Sequence, residues 1–347
     1  MNILGILRGF PGLGRVVSGT AILETLRDDY NCNIEIISYL QGQKFLKNRG
    51  YNCEYDVCPM DYCSIGLLPT NKMGAYLHRR IKEFLPDIVI IDGEPLLVHS
   101  LRLSYPTLKI VTLLNPSDVD NPQNDKESMD FFNSMYCESD LAIVHGLRKV
   151  APDKRYNKFL STSTIIRKEV LKTENTPSNN IYCVLGGGTV NVGSQFAEST
   201  LQMARLCIES ACFLNEYKIH VICSSSNIYN EIYTNLPSNV ILHEGIVESY
   251  EYYSDACLII TRSGRNTLSE LAYLGIPSIS FVSGCSYRKA EQEQNLASLN
   301  VKNICSAEID MQPKEFSELC KSQIACRSEK QGLVIGNTNA VEEILKL

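Results

Sequence analysis

Short apolar runs, each closed by a turn and followed by a helical pattern, recur along the chain. "NILGIL" (2–7) has the pattern of a buried strand. After the glycine-rich "RGFPGLGR" (8–15), Val16, Val17, Thr20, Ala21, Leu23 and Leu26 return at helical spacing. "IEIIS" (34–38) then predicts a second strand and completes a βαβ unit. Further strands are predicted at "DIVIID" (87–92), "KIVTLL" (109–114) and "LAIV" (141–144). Strands that alternate with helices in this way argue for a parallel sheet covered on both faces.

The pattern breaks at "RKEVLKTENTPSNN" (167–180), a polar, proline-bearing stretch that reads as a linker. A second series follows: "IYCVLGGG" (181–188), a helix over about 195–211, "KIHVICSS" (218–225), "NVILHEG" (239–245), "ACLIIT" (256–261) and "PSISFV" (277–282). The chain closes on a helical pattern, "NAVEEILKL" (339–347). The expectation is an α/β protein of two facing Rossmann-like halves with a cleft between them. Residues 1–166 form the first half, 167–180 the linker and 181–330 the second half, with 331–347 packing near the junction. Ligands of such sheets sit beyond the carboxyl ends of strands, which singles out loops 9–15, 92–95, 186–193, 244–249 and 262–267.

Composition narrows the chemistry. The net charge of −6 supplies no field for a polyanion, so nucleic acid is excluded as a general partner. The 14 cysteines form no CxxC pair and no Cys/His cluster of zinc-ligand spacing, so no metal site is expected. The N-terminus lacks a secretory pattern and no apolar run reaches membrane-spanning length, which predicts a cytoplasmic protein with reduced thiols. Membrane contact is open but not indicated, because no lysine-rich amphipathic helix with an apolar surface stands out.

"TRSGRNTLSE" (261–270) follows an apolar run and opens a helix whose apolar face is Leu268, Leu271, Ala272 and Leu274. Gly264 lets backbone approach a ligand, and the free N–H groups and dipole of the helix start favour an anion. Arg262 and Arg265 are candidates for charge-assisted bonds to a diphosphate, and Glu270 for bonds from a ribose diol. The spacing alone equally allows a capping box between Thr267 and Glu270, in which the glutamate bonds backbone instead.

The order R-S-G-x-x-T-x-S-E after an apolar strand resembles the nucleotide-sugar loop of the GT-B glycosyltransferases of the MurG-like and UDP-glycosyltransferase superfamily. The resemblance runs from about Asn239 to Ala297. It takes in "HEGIVESYEYYSDACLIITRSG", the Gly275-x-Pro277 turn and "EQEQN" (291–295), which resembles the family's acidic/Gln-Gln-x-x-Asn segment. By this likeness Glu270 binds the ribose hydroxyls, and Arg262, Ser263, Gly264, Asn266 and Thr267 surround the diphosphate. Glu291, Gln292 and Asn295 lie near the donor sugar, while backbone at Ile246 and Val247 meets the base. The "LGGGT" loop (185–189), with Gly187 and Gly188, is similar to a family loop at the diphosphate or acceptor, or is a tight turn needing positive φ.

"GFPGLGR" (9–15), with Gly14, resembles the family's acceptor-side loop, in which a histidine often follows the last glycine and is the catalytic base in plant relatives. Arg15 stands there instead, and a guanidinium cannot act as a base at neutral pH. "IIDGEP" (90–95) offers replacement carboxylates in Asp92 and Glu94, a pair that also fits turn residues capping the next helix. The five histidines are scattered, and only His145, after "LAIV", sits at a strand exit of the first half.

The resemblance implies a glycosyltransferase that needs no metal or other cofactor and moves a hexosyl or N-acetylhexosaminyl group. Its donor is a nucleotide sugar, UDP-linked, and its acceptor a hydroxyl or amine. Two alternatives share the fold: a sugar-nucleotide hydrolase, and a non-catalytic nucleotide-binding partner of another transferase. A sugar-nucleotide epimerase ranks below these, because its paired acid and base groups are not assignable from sequence.

Overall fold

The computed structural model describes residues 1–9, 12–52, 72–186, 194–223, 225–245, 247–282, 286–330 and 333–347. It divides into two units, Met1–Arg167 with Val334–Leu347, and Lys168–Leu333.

Among the described residues the first unit holds six parallel strands: β1 (Asn2–Leu7), β2 (Asn33–Ile37), β3 (Ile88–Asp92), β4 (Lys109–Leu114), β5 (Leu141–His145) and β6 (Phe159–Thr162). Their spatial order is β2-β1-β3-β4-β5-β6. Consecutive strand residues feed opposite faces. Ile3, Ile88, Ile90, Val111 and Ile143 join one core with helix α1 (Gly14–Tyr30), whereas Leu4, Val89, Ile91, Ile110 and Val144 join another with helix α4 (Pro95–Ser104). Burial on both faces explains why these strands read as unbroken apolar runs. Ile90 is fully buried, and truncating it to alanine costs about 2–5 kcal/mol in transfer and cavity terms.

The C-terminal helix α14 (Asn337–Leu345) belongs to this unit and buries Ala340, Val341 and Ile344 in the same core as α1. Asn337 ties it in by donating to the Ile166 carbonyl at 2.7 Å and accepting from the Ile166 N–H at 3.0 Å.

The second unit carries β7 (Asn180–Val184), β8 (Lys218–Cys223), β9 (Val240–Glu244), β10 (Ala256–Arg262), β11 (Ser278–Phe281) and β12 (Ile304–Ala307), again parallel, in the order β12-β11-β10-β7-β8-β9. Ile181, Val221, Leu258, Ile260 and Phe281 pack against helices α8 (Ser194–Ser210) and α13 (Pro313–Ile324) through Met203, Cys207, Phe316 and Cys320. The stretch expected as a linker contains helix α7 (Lys168–Lys172). Its end is tied to this unit by Thr176 and Ser178, whose N–H groups donate to the Ser254 and Asp255 carbonyls.

The strand order of each sheet reverses at one place. In the first unit the switch lies between β1 and β3, in the second between β7 and β10. In open α/β sheets ligands bind at the carboxyl ends of the strands beside such a switch point. Described cysteines such as Cys183, Cys207 and Cys257 are free thiols. Among the described residues no helix is long and apolar enough to cross a membrane.

Candidate functional site

The first unit gathers charge at its switch point. β1 leaves into Arg8 and β3 into Asp92, Gly93 and Glu94, with the Arg8 N–H donating to the Asp92 carbonyl at 3.1 Å. Arg15, in the first turn of α1, donates from Nη1 to Asp92 Oδ1 at 2.7 Å. Its Nη2 donates to both oxygens of Asp118, at 2.8 and 2.9 Å. Burial opposes the Arg15 charge, but the carboxylates of Asp118 and Asp92 outweigh that and hold its proton more firmly than usual. Gly93 has φ +85°, and a Cβ there would lie 2.5 Å from Arg15 Cδ and 2.9 Å from Arg8 Cδ. Only glycine lets both arginines cross the strand exit.

Glu94 is 3% exposed. It accepts a short hydrogen bond from the Tyr39 hydroxyl, and Arg8 Nε lies 3.8 Å from its Oε1. Burial raises its pKa to about 7, against the opposing pull of Arg8, the Tyr39 hydroxyl and Arg15. The two candidate carboxylates therefore differ in kind. Asp92 is locked in an ion pair, whereas Glu94 exchanges its proton near neutrality, as a general acid or base requires. Helix α4 starts at Pro95, and its N-cap Glu94 makes no side-chain cap bond. Gly14 is exposed at the start of α1. His145 is the buried last residue of β5, two strands from β3.

In the second unit β10 runs through Arg262 into Ser263 and Gly264, which is the N-cap of helix α11 (Arg265–Leu274). The helix starts three residues earlier than a capping box at Thr267 requires. Glu270 sits in its second turn and bonds side chains instead: its Oε2 accepts from Tyr253 Oη at 3.0 Å and Ser249 Oγ at 3.4 Å. Glu270 is thus not the cap. Gly264 has no capping side chain, and among the described residues no atom lies within 4 Å of where its Cβ would project. The N–H groups of the first turn, at Arg265, Asn266 and Thr267, lack intrahelical acceptors by geometry and carry the positive end of the helix dipole. Asn266 and Thr267 are half-buried beside that opening.

Ser263 turns inward, where its hydroxyl is 2.8 Å from Ser280 Oγ and donates to the Phe281 carbonyl at 3.1 Å. Its hydroxyl is therefore engaged within the sheet, and only its backbone remains at the loop. Arg262 Nη2 donates to Ser199 Oγ at 3.1 Å and, in a shorter bond, to Thr200 Oγ1, so its guanidinium reaches α8. Helix α12 (Ser286–Ala297) carries Glu291, buried Gln292 and Asn295. Asn295 Nδ2 donates to the Ser263 carbonyl at 3.2 Å, which fixes this helix to the β10 exit.

Val247 is half-buried two residues past Gly245 (φ +90°), after the end of β9. Gly186, at the β7 exit, has φ +81°. Gly187, Gly188 and Ile246 lie outside the described residues. Among the described residues no group of three or more His, Cys, Asp or Glu side chains is placed to hold a metal ion.

Residues 189–325, most of the second unit, match the family model described as Glycosyltransferase family 28 C-terminal domain. Over these residues, fewer than half of the chain, the sequence is similar to that domain. Solved GT-B structures resemble it over its whole length. MurG from Acinetobacter baumannii is 15% identical with a TM-score of 0.57, covering 100% of this chain and 99% of that one. Glycosyltransferase VinC, solved with dTDP, is 13% identical with a TM-score of 0.60 over the same shares. The UDP-GlcNAc 2-epimerase from Neisseria meningitidis, bound to UDP-GlcNAc, is 13% identical with a TM-score of 0.65 and full coverage of both chains. At such identities the likeness establishes the fold. No curated protein matches the sequence at a significant level.

Several residues of both clusters escape a reading of the sequence. Asp118 follows β4 in "NPSD", where its Oδ2 accepts from the Asn115 N–H at 2.7 Å. A strand exit followed by Asn-Pro marks a helix start and was its signal. Tyr39, Tyr253 and Ser249 carry no local signal, because their importance lies in side chains meeting across unrelated elements.

Proposed function

We propose that the protein is a glycosyltransferase that moves a sugar from a nucleotide-sugar donor, UDP-linked, to a hydroxyl or amine acceptor. The observation that carries this reading is the glycine-led start of α11 beside buried Glu270, at the switch point of a sheet within the family 28 match. In this reading Glu270 takes the ribose hydroxyls, and backbone N–H groups at 264–267 take the diphosphate. Asn295 holds Ser263 in place, and Glu291 and Gln292 lie toward the sugar. Backbone near Val247 faces the base.

During transfer the acceptor oxygen or nitrogen bonds the anomeric carbon while the bond from that carbon to the diphosphate oxygen breaks. Charge grows on the departing UDP, and the helix N-terminus, with Arg262 bracing α8 beside it, meets that charge without calling on a metal. Glu94 takes the acceptor proton. Asp92 and Asp118 aim the Arg15 guanidinium, a group for orienting the acceptor rather than for moving protons.

The fold shared with UDP-GlcNAc 2-epimerases favours a second reading, because Glu94 beside the Asp92–Arg15 pair supplies the kind of acid/base group an epimerase needs. One experiment separates the readings. The purified protein is incubated with UDP-sugars, with and without hydroxyl and amine acceptors, and nucleotide and sugar are followed by mass spectrometry and NMR. Transfer releases UDP only when acceptor is present and yields a glycosylated product. Equal release without acceptor makes the protein a hydrolase. A change of sugar configuration without net release makes it an epimerase. Binding with no turnover leaves a nucleotide-binding partner of another transferase.

A further inference from the structure

We propose that Tyr253, assisted by Ser249, is a positioning residue. It fixes the Glu270 carboxylate for a ribose diol and thereby sets a preference for ribonucleoside over deoxyribonucleoside diphosphates. The inference rests on the nucleotide-binding reading above and deepens it.

Helix α10 (Ser249–Tyr253) follows the loop that leaves β9 and brings both hydroxyls to one oxygen of Glu270, at 3.0 and 3.4 Å. Tyr253 is fully buried, and its ring meets that of Tyr252 edge-on at 5.0 Å and 82°, so the phenol has little freedom to swing away. Glu270 itself, 3% exposed in the second turn of α11, has a long side chain that would otherwise sample several rotamers. Two donors on Oε2 fix the plane of the carboxylate. A cis-diol offers two O–H donors at fixed spacing, whereas a 2′-deoxyribose offers one. A carboxylate held in one orientation gains more from the second donor than a mobile one, since no ordering cost is charged at binding.

The test is calorimetric titration of the intact protein and its Y253F, S249A and E270Q variants with UDP and with 2′-deoxy-UDP, with circular dichroism as the check of folding. The parent is expected to favour UDP by about tenfold or more, the worth of a hydrogen bond to a charged group. Y253F is expected to cut that preference at least about threefold, and S249A to cut it in the same direction by less. In an E270Q background, Y253F changes the preference no further. If Y253F weakens both ligands equally and leaves the preference intact, Tyr253 only supports packing and the inference is wrong. Should Y253F not fold, the preference of S249A decides by the same criterion. A parent protein that binds neither nucleotide overturns the nucleotide-binding reading itself, an outcome distinct from an unchanged preference.

Discussion

Replacing Glu94 with glutamine is expected to remove a pH dependence of stability that originates at the β1–β3 switch point. The usual carboxyl pKa of 4.5 is raised to about 7 in the folded protein, chiefly by burial. Between these values the native state keeps a proton that the unfolded chain has released. The stabilisation is therefore fully present below about pH 4.5 and is lost as pH rises through 7. At about 1.4 kcal/mol for each pH unit of separation, the loss amounts to about 3 kcal/mol, with a slope confined to that window. Glutamine keeps an acceptor for the Tyr39 hydroxyl but does not titrate. Amide hydrogen exchange of peptides covering β1 and β3, compared between parent and E94Q at each pH from 4 to 8, isolates the first unit and cancels intrinsic exchange rates. Stability of the parent relative to E94Q should fall with rising pH and level off above 7. A difference that is flat across the window, or that rises with pH, refutes the assignment of Glu94 as a proton holder near neutrality.

Other outcomes follow from the same geometry. Y39F removes a donor that favours the ionised Glu94, so the falling limb of the exchange curve should move to higher pH, and an unmoved limb would count against the Tyr39–Glu94 bond. G93A forces a side chain into a φ of +85° and against Arg15, and should lower stability by about 1–3 kcal/mol in thermal unfolding while the neighbouring substitution E94Q leaves the backbone unstrained. E270A should weaken UDP binding by about 1–3 kcal/mol, the cost of a lost charge-assisted hydrogen bond, with unchanged far-ultraviolet circular dichroism. Binding as tight as that of the parent would make Glu270 a structural residue held by Tyr253 and Ser249.

Much of the architecture was legible because the strands are buried on both faces. "NILGIL" and "KIVTLL" coincide with β1 and β4, and most other central strands lie within a residue or two of their apolar runs. Among the described strands, the two that escaped, β6 and β12, each lie at one edge of their sheet. Each has only four residues, "FLST" and "ICSA", and is largely half-exposed, so no apolar run marks it. The β10–α11 loop was legible as a glycine-led helix start because that is a local feature. Its capping-box alternative was misleading for an equally local reason: the helix begins at Arg265, and Glu270 looks across to α10 instead of back to the chain. The charge cluster around Glu94 was only half legible. Asp92, Glu94 and Arg15 stand out by position, but the separation of their roles depends on Asp118 and Tyr39, which reach the cluster from elements distant in sequence.

Calorimetric titration of the purified protein with UDP, with GDP and TDP as controls, decides whether the second unit grips a nucleotide at the start of α11. Saturable binding that prefers UDP is the result expected. Heats no larger than those of dilution for all three nucleotides would rule out a nucleotide grip and leave Gly264–Thr267 as an ordinary helix start.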